Sequence, residues 1–140
     1  MIAAADLAVG TELPSQTFPI ERASMVRYAG ASGDFNPIHW SAETARAVGL
    51  PDVIAHGMLT MGVAIRVVTD WLGDPGAVLE YGVRFTRPVV VEYGQASELE
   101  VSGRVRSVDV EAGTAEIDLT AAVAGATVLA RSRAVVRLSR

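Results

Sequence analysis

From residue 79 to residue 85 the chain alternates: Leu79, Tyr81, Val83 and Phe85 are apolar, and Glu80, Gly82 and Arg84 stand between them. A period of two is the pattern of a half-buried strand. The same alternation returns with Leu99, Val101 and Val105, with Ile117, Leu119, Ala121 and Val123, and with Val128, Ala130, Ala134, Val136 and Leu138. Turn signals at residues 109–113 and at Gly125 separate the last three runs, which predicts an antiparallel meander. Residues 57–72 follow a different rule. Met58, Leu59, Met61, Val63, Ala64, Ile65, Val67, Val68 and Trp71 cover nearly the whole circumference of a helix. A helix buried on most sides is expected there, with Met58 and Met61 in the core.

The first third of the chain is less regular. Residues 15–20 read as a short strand, and residues 21–31 as a helix with Ala23, Met25, Val26 and Ala29 on its apolar side, stopping at Gly30 or Gly33. Ser41 is a natural N-cap for a short helix that contains Thr44 and Ala45 and closes at Gly49. An apolar helix followed by long amphipathic strands predicts an α+β fold, a sheet wrapped around that helix. No repeat, low-complexity tract or linker divides the sequence, so a single domain over residues 1–140 is expected.

Composition narrows the chemistry. A chain of 140 residues, 50% hydrophobic and 20% charged, has enough apolar material to fold without staples. It holds no cysteine, which excludes disulfides, thiolate metal sites and cysteine nucleophiles. All 12 basic residues are arginine, so no lysine can form a Schiff base or serve a phosphate loop. The net charge of -4 offers no basic footprint for nucleic acid. The most apolar stretch, residues 53–68, is interrupted by His56 and Arg66, which argues against a membrane span. At the amino terminus Asp6 and Glu12 accompany the apolar residues and no basic region precedes them, a poor signal peptide that leads to the cytoplasm as the expected compartment.

The stretch "GASGDFNPIH" at residues 30–39 is too rich in glycine and proline for a helix interior or a central strand. It is a loop carrying a carboxylate and, five positions on, an imidazole. Around it, "YAGASGDFNPIHW" at residues 28–40 resembles the hydratase motif of the MaoC-like enoyl thioester hydratases and dehydratases, through Tyr28, Ser32, Gly33, Asp34, Asn36, Pro37, Ile38 and His39. "AHGMLTMG" at residues 55–62 and "GDPGAVLEYGVRFTRPV" at residues 73–89 extend the likeness. Within that family the chain is most similar to the catalytic β subunit of actinobacterial (3R)-hydroxyacyl-carrier-protein dehydratases. The resemblance implies the hot-dog fold and the interconversion of (3R)-3-hydroxyacyl and trans-2-enoyl thioesters.

It also implies roles. Adding water across the double bond needs two proton-transfer groups facing one small volume, and Asp34 and His39 supply them, Asp34 for the water proton and His39 for the proton at Cα. Gly33 belongs to the motif, Pro37 stiffens the loop, and Asn36 can tie the turn through its side chain. The developing enolate needs a donor, and the backbone N–H of Gly57 at the start of the apolar helix is the candidate. For Gly57 the alternative is tight packing against a strand, a role Gly62 fits better. His56 reads as a structural or pocket-wall residue. Asp34 has the alternative of a turn carboxylate and His39 that of a hydrogen-bonded surface imidazole. A metal held by Asp34, His39 and His56 is a further possibility that the family does not use.

No cofactor is implied beyond the thioester carrier, coenzyme A or the phosphopantetheine of an acyl carrier protein. The strand arginines Arg84, Arg87, Arg104, Arg106, Arg131, Arg133 and Arg137 fall mostly on solvated faces, and one or two of them are candidates for meeting the carrier's phosphates. A curved sheet with long edges predicts a homodimer, or a heterodimer with another hot-dog subunit, as the working form. Two rival readings share the fold. A thioesterase often carries its acid in the central helix, where this chain has only Asp70, late in the segment, and a non-catalytic partner subunit would have lost the acid-base pair.

Overall fold

The computed structural model describes residues 2–139. Its strands are β1 (Glu12–Ile20), β2 (Val78–Phe85), β3 (Ser97–Asp109), β4 (Thr114–Val123) and β5 (Ala126–Arg137), and its helices are α1 (Arg22–Ser32), α2 (Ala42–Ala47), α3 (Gly57–Ala64) and α4 (Arg66–Leu72). The strands form one antiparallel sheet in the order β1-β3-β4-β5-β2. The expected meander is its middle. Along β3 and β4 every second side chain is buried, and Leu99, Val105, Ile117 and Ala121 lie at the core with α4 packed across β1 and β3.

Turn chemistry sets the register. Val123 pairs with Ala126, so the β4–β5 connection has two residues, and Ala124 and Gly125 both adopt positive φ, 48° and 76°. That is a type I′ turn, whose twist matches the strands it joins. Between β3 and β4 the Asp109 carboxylate accepts the Ala112 N–H at 2.9 Å, and Gly113 takes φ 67°.

Three elements depart from expectation. β1 begins at Glu12 rather than residue 15, running through Pro14 by a shift of register between Leu13 and Gln16. Proline is tolerated because β1 is an edge strand and needs no donor on its open side. The long apolar helix is divided at Ile65, where Val68 N–H bonds to the Ile65 carbonyl at 2.9 Å and tightens one turn. It is also less covered than its composition suggests: Met58 is 58% exposed, so Met58 does not belong to this chain's core. On β2 the bulge between Val78 and Glu80 disturbs the alternation, leaving Tyr81 and Val83 half-buried while Leu79 and Phe85 stand exposed. The seven strand arginines are all solvent-exposed. No described helix is long and apolar enough to cross a membrane.

Candidate active site

Helix α1 stops at Gly33, whose φ of 74° is the left-handed conformation that closes a helix. Between this stop and the short 3-10 turn Pro37–His39 the loop is tied by its own side chains. Asp34 Oδ1 accepts the Asn36 N–H at 3.1 Å, and Asn36 Oδ1 accepts the Ile38 N–H at 3.2 Å. Consecutive Asx turns of this kind give a short segment a fixed shape without regular structure. Asp34 is therefore a turn carboxylate, as its alternative reading has it, but only through one oxygen. The other, Oδ2, lies 3.8 Å from His39 Nε2.

His39 is buried, and its Nδ1 approaches the Ile54 carbonyl at 2.6 Å. A carbonyl can only accept, so Nδ1 carries a proton, and Nε2, the nitrogen left to exchange another, faces Asp34. Behind it stands His56, 1% exposed, whose Nε2 donates to the Asp34 backbone carbonyl at 3.1 Å. The two imidazoles stack with centroids 3.8 Å apart and planes 24° from parallel, and the Tyr28 ring tilts against His56 at 4.8 Å. His56 Nδ1 is buried with no hydrogen-bond partner among the described residues. His56 thus touches both members of the pair, one through its backbone and one through its ring.

Asp34, His39 and His56 offer donor atoms within 4.8 Å of one another. Imidazole lone pairs lie in the ring planes, and stacked rings send them along near-parallel lines that do not converge on an ion about 2 Å from each nitrogen. His56 Nε2 is moreover already engaged. This donor set does not fit a metal without turning a ring.

His39 and Gly57 share the wall of one cavity of about 330 Å³, with Thr60, Phe85, Arg87 and Leu129. Gly57 opens α3, no side chain caps that end, and the first N–H groups of a helix have no partner within it. A Cβ on Gly57 would come within 3.0 Å of the Phe85 ring, whereas one on Gly62 would meet nothing within 4 Å. The tight packing expected at Gly62 is found at Gly57 instead. A second, apolar hollow of about 360 Å³ is lined by both imidazoles together with Met25, Ala29, Phe35 and Trp40. Sequence reasoning missed Phe85 and Thr60 as cavity residues: both lie in the stretches 55–62 and 73–89 that extend the family likeness, but they occupy ordinary apolar and helical positions whose residue types do not signal a cavity. Asp70, the acid of the rival thioesterase reading, lies exposed on α4 and lines neither cavity.

A curved antiparallel sheet packed on a central helical segment, with a polar loop laid beside that segment's start, is the hot-dog class of fold. The MaoC-like domain model matches residues 6–123, and the chain belongs to that family. A solved structure described as a MaoC-like dehydratase superimposes with a TM-score of 0.95 at 41% identity, covering 99% of this chain and 42% of the other. The R-hydratase PhaJ1 from Pseudomonas aeruginosa gives 0.83 at 27% identity, covering 99% and 87%. Among characterised sequences, 3-hydroxyacyl-thioester dehydratase X of Mycobacterium tuberculosis is 37% identical over 78 residues, 56% of this chain and 27% of that protein. The peroxisomal enoyl-CoA hydratase 2 of Arabidopsis thaliana is 42% identical over 60 residues, 41% and 19%. The chain thus matches about a quarter or less of the length of these two relatives.

Proposed function

We propose that the protein is a hydro-lyase that interconverts trans-2-enoyl and (3R)-3-hydroxyacyl thioesters. The observation that carries this reading is the pairing of Asp34 Oδ2 with His39 Nε2 at 3.8 Å beside a cavity that also holds the uncapped start of α3. The named activities of the hydratase and dehydratase relatives support it.

In hydration, the Asp34 carboxylate takes a proton from water as the water oxygen bonds to Cβ. The electron pair of the double bond moves to Cα, with its charge shared by the thioester oxygen. Gly57 N–H donates to that oxygen, a contact worth about 10² to 10³ in rate where a single donor is removed from such sites. The His39 imidazolium gives its Nε2 proton to Cα, while Nδ1–H remains on the Ile54 carbonyl. The proton on Asp34 then passes to His39, and dehydration reverses each step. Every atom balances without a cofactor beyond the carrier, coenzyme A or acyl-carrier phosphopantetheine. His56, Asn36 and Gly33 hold the loop in shape.

The working form we propose is a dimer with a second hot-dog chain, supported by the open edge of β2 with its exposed Leu79 and Phe85, and by the exposed Met58 next to Gly57. The test is to incubate the purified protein with crotonyl-CoA and longer enoyl thioesters, following enoyl absorbance and free thiol together. Loss of absorbance without thiol release is the expected result. Thiol release without a hydroxyacyl product would establish a thioesterase instead.

A further inference from the structure

Arg22 breaks a local rule. It opens α1, where the helix dipole favours anions, yet that first turn holds no acidic residue and no side chain caps it. Its guanidinium reaches across to other segments. Nη2 donates to Asp52 Oδ1 at 2.8 Å, Nε donates to the Val91 carbonyl at 3.1 Å, and the group lies 5.4 Å from the Tyr93 ring centre. Asp52, 30 residues away in sequence, keeps only 12% of its side chain exposed. It also accepts the Val53 N–H at 2.7 Å and has Arg46 Nη2 at 3.6 Å from its second oxygen. The Val53 amide, helped by the two guanidiniums and opposed by burial, holds its carboxyl below the ordinary carboxylate value.

The segment that follows Asp52 is pinned on both sides. Val91 N–H donates to the Val53 carbonyl at 2.9 Å, Ala55 N–H to Val89 at 2.8 Å, and Ile54 N–H to Ile38 at 3.2 Å. The Ile54 carbonyl in turn receives His39 Nδ1–H. The group that sets the His39 tautomer therefore stands two residues beyond Asp52, on a stretch that runs directly into His56 and Gly57. Arg22 reaches both strands of this stretch, through Asp52 on one and Val91 on the other.

We propose that Arg22 and Asp52 form a positioning clamp that aims the His39 imidazole through the Ile54 carbonyl. Arg22 and Asp52 spend their polar atoms on each other, on the Val91 carbonyl and on the Val53 N–H, which makes them positioning groups. The kinetic part of this inference rests on reading His39 as an acid-base group, and the spectroscopic part does not.

Two variants test it. Asp52→Asn keeps the volume and an oxygen for the Val53 N–H but removes the charge. Arg22→Lys keeps the charge but has one nitrogen where Arg22 uses two. In the unaltered protein the His39 Nδ1 proton, held in a short hydrogen bond, should resonate far downfield in the NMR spectrum. In both variants it should move upfield and exchange faster, with thermal unfolding confirming a folded chain. For enoyl-thioester hydration kcat should fall about tenfold while KM stays within about twofold, the signature of misplaced chemistry rather than lost binding. In a His39→Gln background the same changes should cost nothing further. An unmoved imidazole resonance in a folded variant would overturn the clamp, as would an equal fractional loss of rate in the His39→Gln background. If Asp52→Asn does not fold, the Arg22→Lys result decides.

Discussion

The β3–β4–β5 meander carries an apolar period of two and so does β2, whose Phe85 lies against the start of α3, yet the meander and this second face end in different surroundings. In the meander each inward side chain is covered by its own chain: Leu99, Ile117 and Ala121 are fully buried. The outward side chains meet one another, Arg106 and Arg133 lying 3.1 to 3.9 Å from Glu116 and Asp118 across the strands. On the α3 and β2 face, Met58, Leu79 and Phe85 are 58%, 43% and 51% exposed. Periodicity marks which positions favour burial, and it does not say which chain provides the cover. The distinction bears on function because Gly57 and Phe85, on the cavity wall, belong to the uncovered face.

The largest effects should come from the loop beside that face. Asp34→Asn and His39→Gln should each lower kcat by about 10² to 10⁴, the usual worth of a positioned acid or base, with thermal unfolding little changed. Arg133→Ala, on the outer face of the meander, should leave the rate as it is. Stability should show the reverse contrast. Ile117→Ala opens a cavity in the covered core and should cost about 2 to 5 kcal/mol, whereas Met58→Ala in the isolated chain should cost under about 1 kcal/mol. Denaturant unfolding of the two variants checks this, and equal losses would erase the distinction between the regions.

Sedimentation sharpens it further. Leu79→Lys should shift a dimer toward monomer, because a charge on an edge strand opposes pairing with a second chain. An unaltered protein that sediments as a monomer and is fully active would remove the need for a covering partner. The smallest effect belongs to the meander's own turn. Ala124 holds a left-handed conformation that favours asparagine, so Ala124→Asn should stabilise by about 0.5 to 1 kcal/mol and raise Tm by a few degrees.

What could be read from the sequence follows the range of each interaction. The meander was legible because period two is local, and the Asp34–Asn36–Pro37–His39 loop because its turn chemistry is written within a few residues. The division of the central helix at Ile65 was not, since neither glycine nor proline marks it. The first residues of β1 were hidden by Pro14, which reads as a breaker until the strand is known to lie at an edge. The Ile54 carbonyl on His39, the stacking of His56 and the Arg22–Asp52 pair join segments 15 to 30 residues apart through atoms that no local pattern signals.

The central claim is that Asp34 and His39 handle protons as one unit, and the direct measurement is kcat for enoyl-thioester hydration in Asp34→Asn, His39→Gln and the double variant. Groups that act in one transition state give strongly non-additive losses, so the double variant should be little slower than the slower single variant. Losses that multiply, or a rate near that of the unaltered protein in either single variant, would contradict the claim.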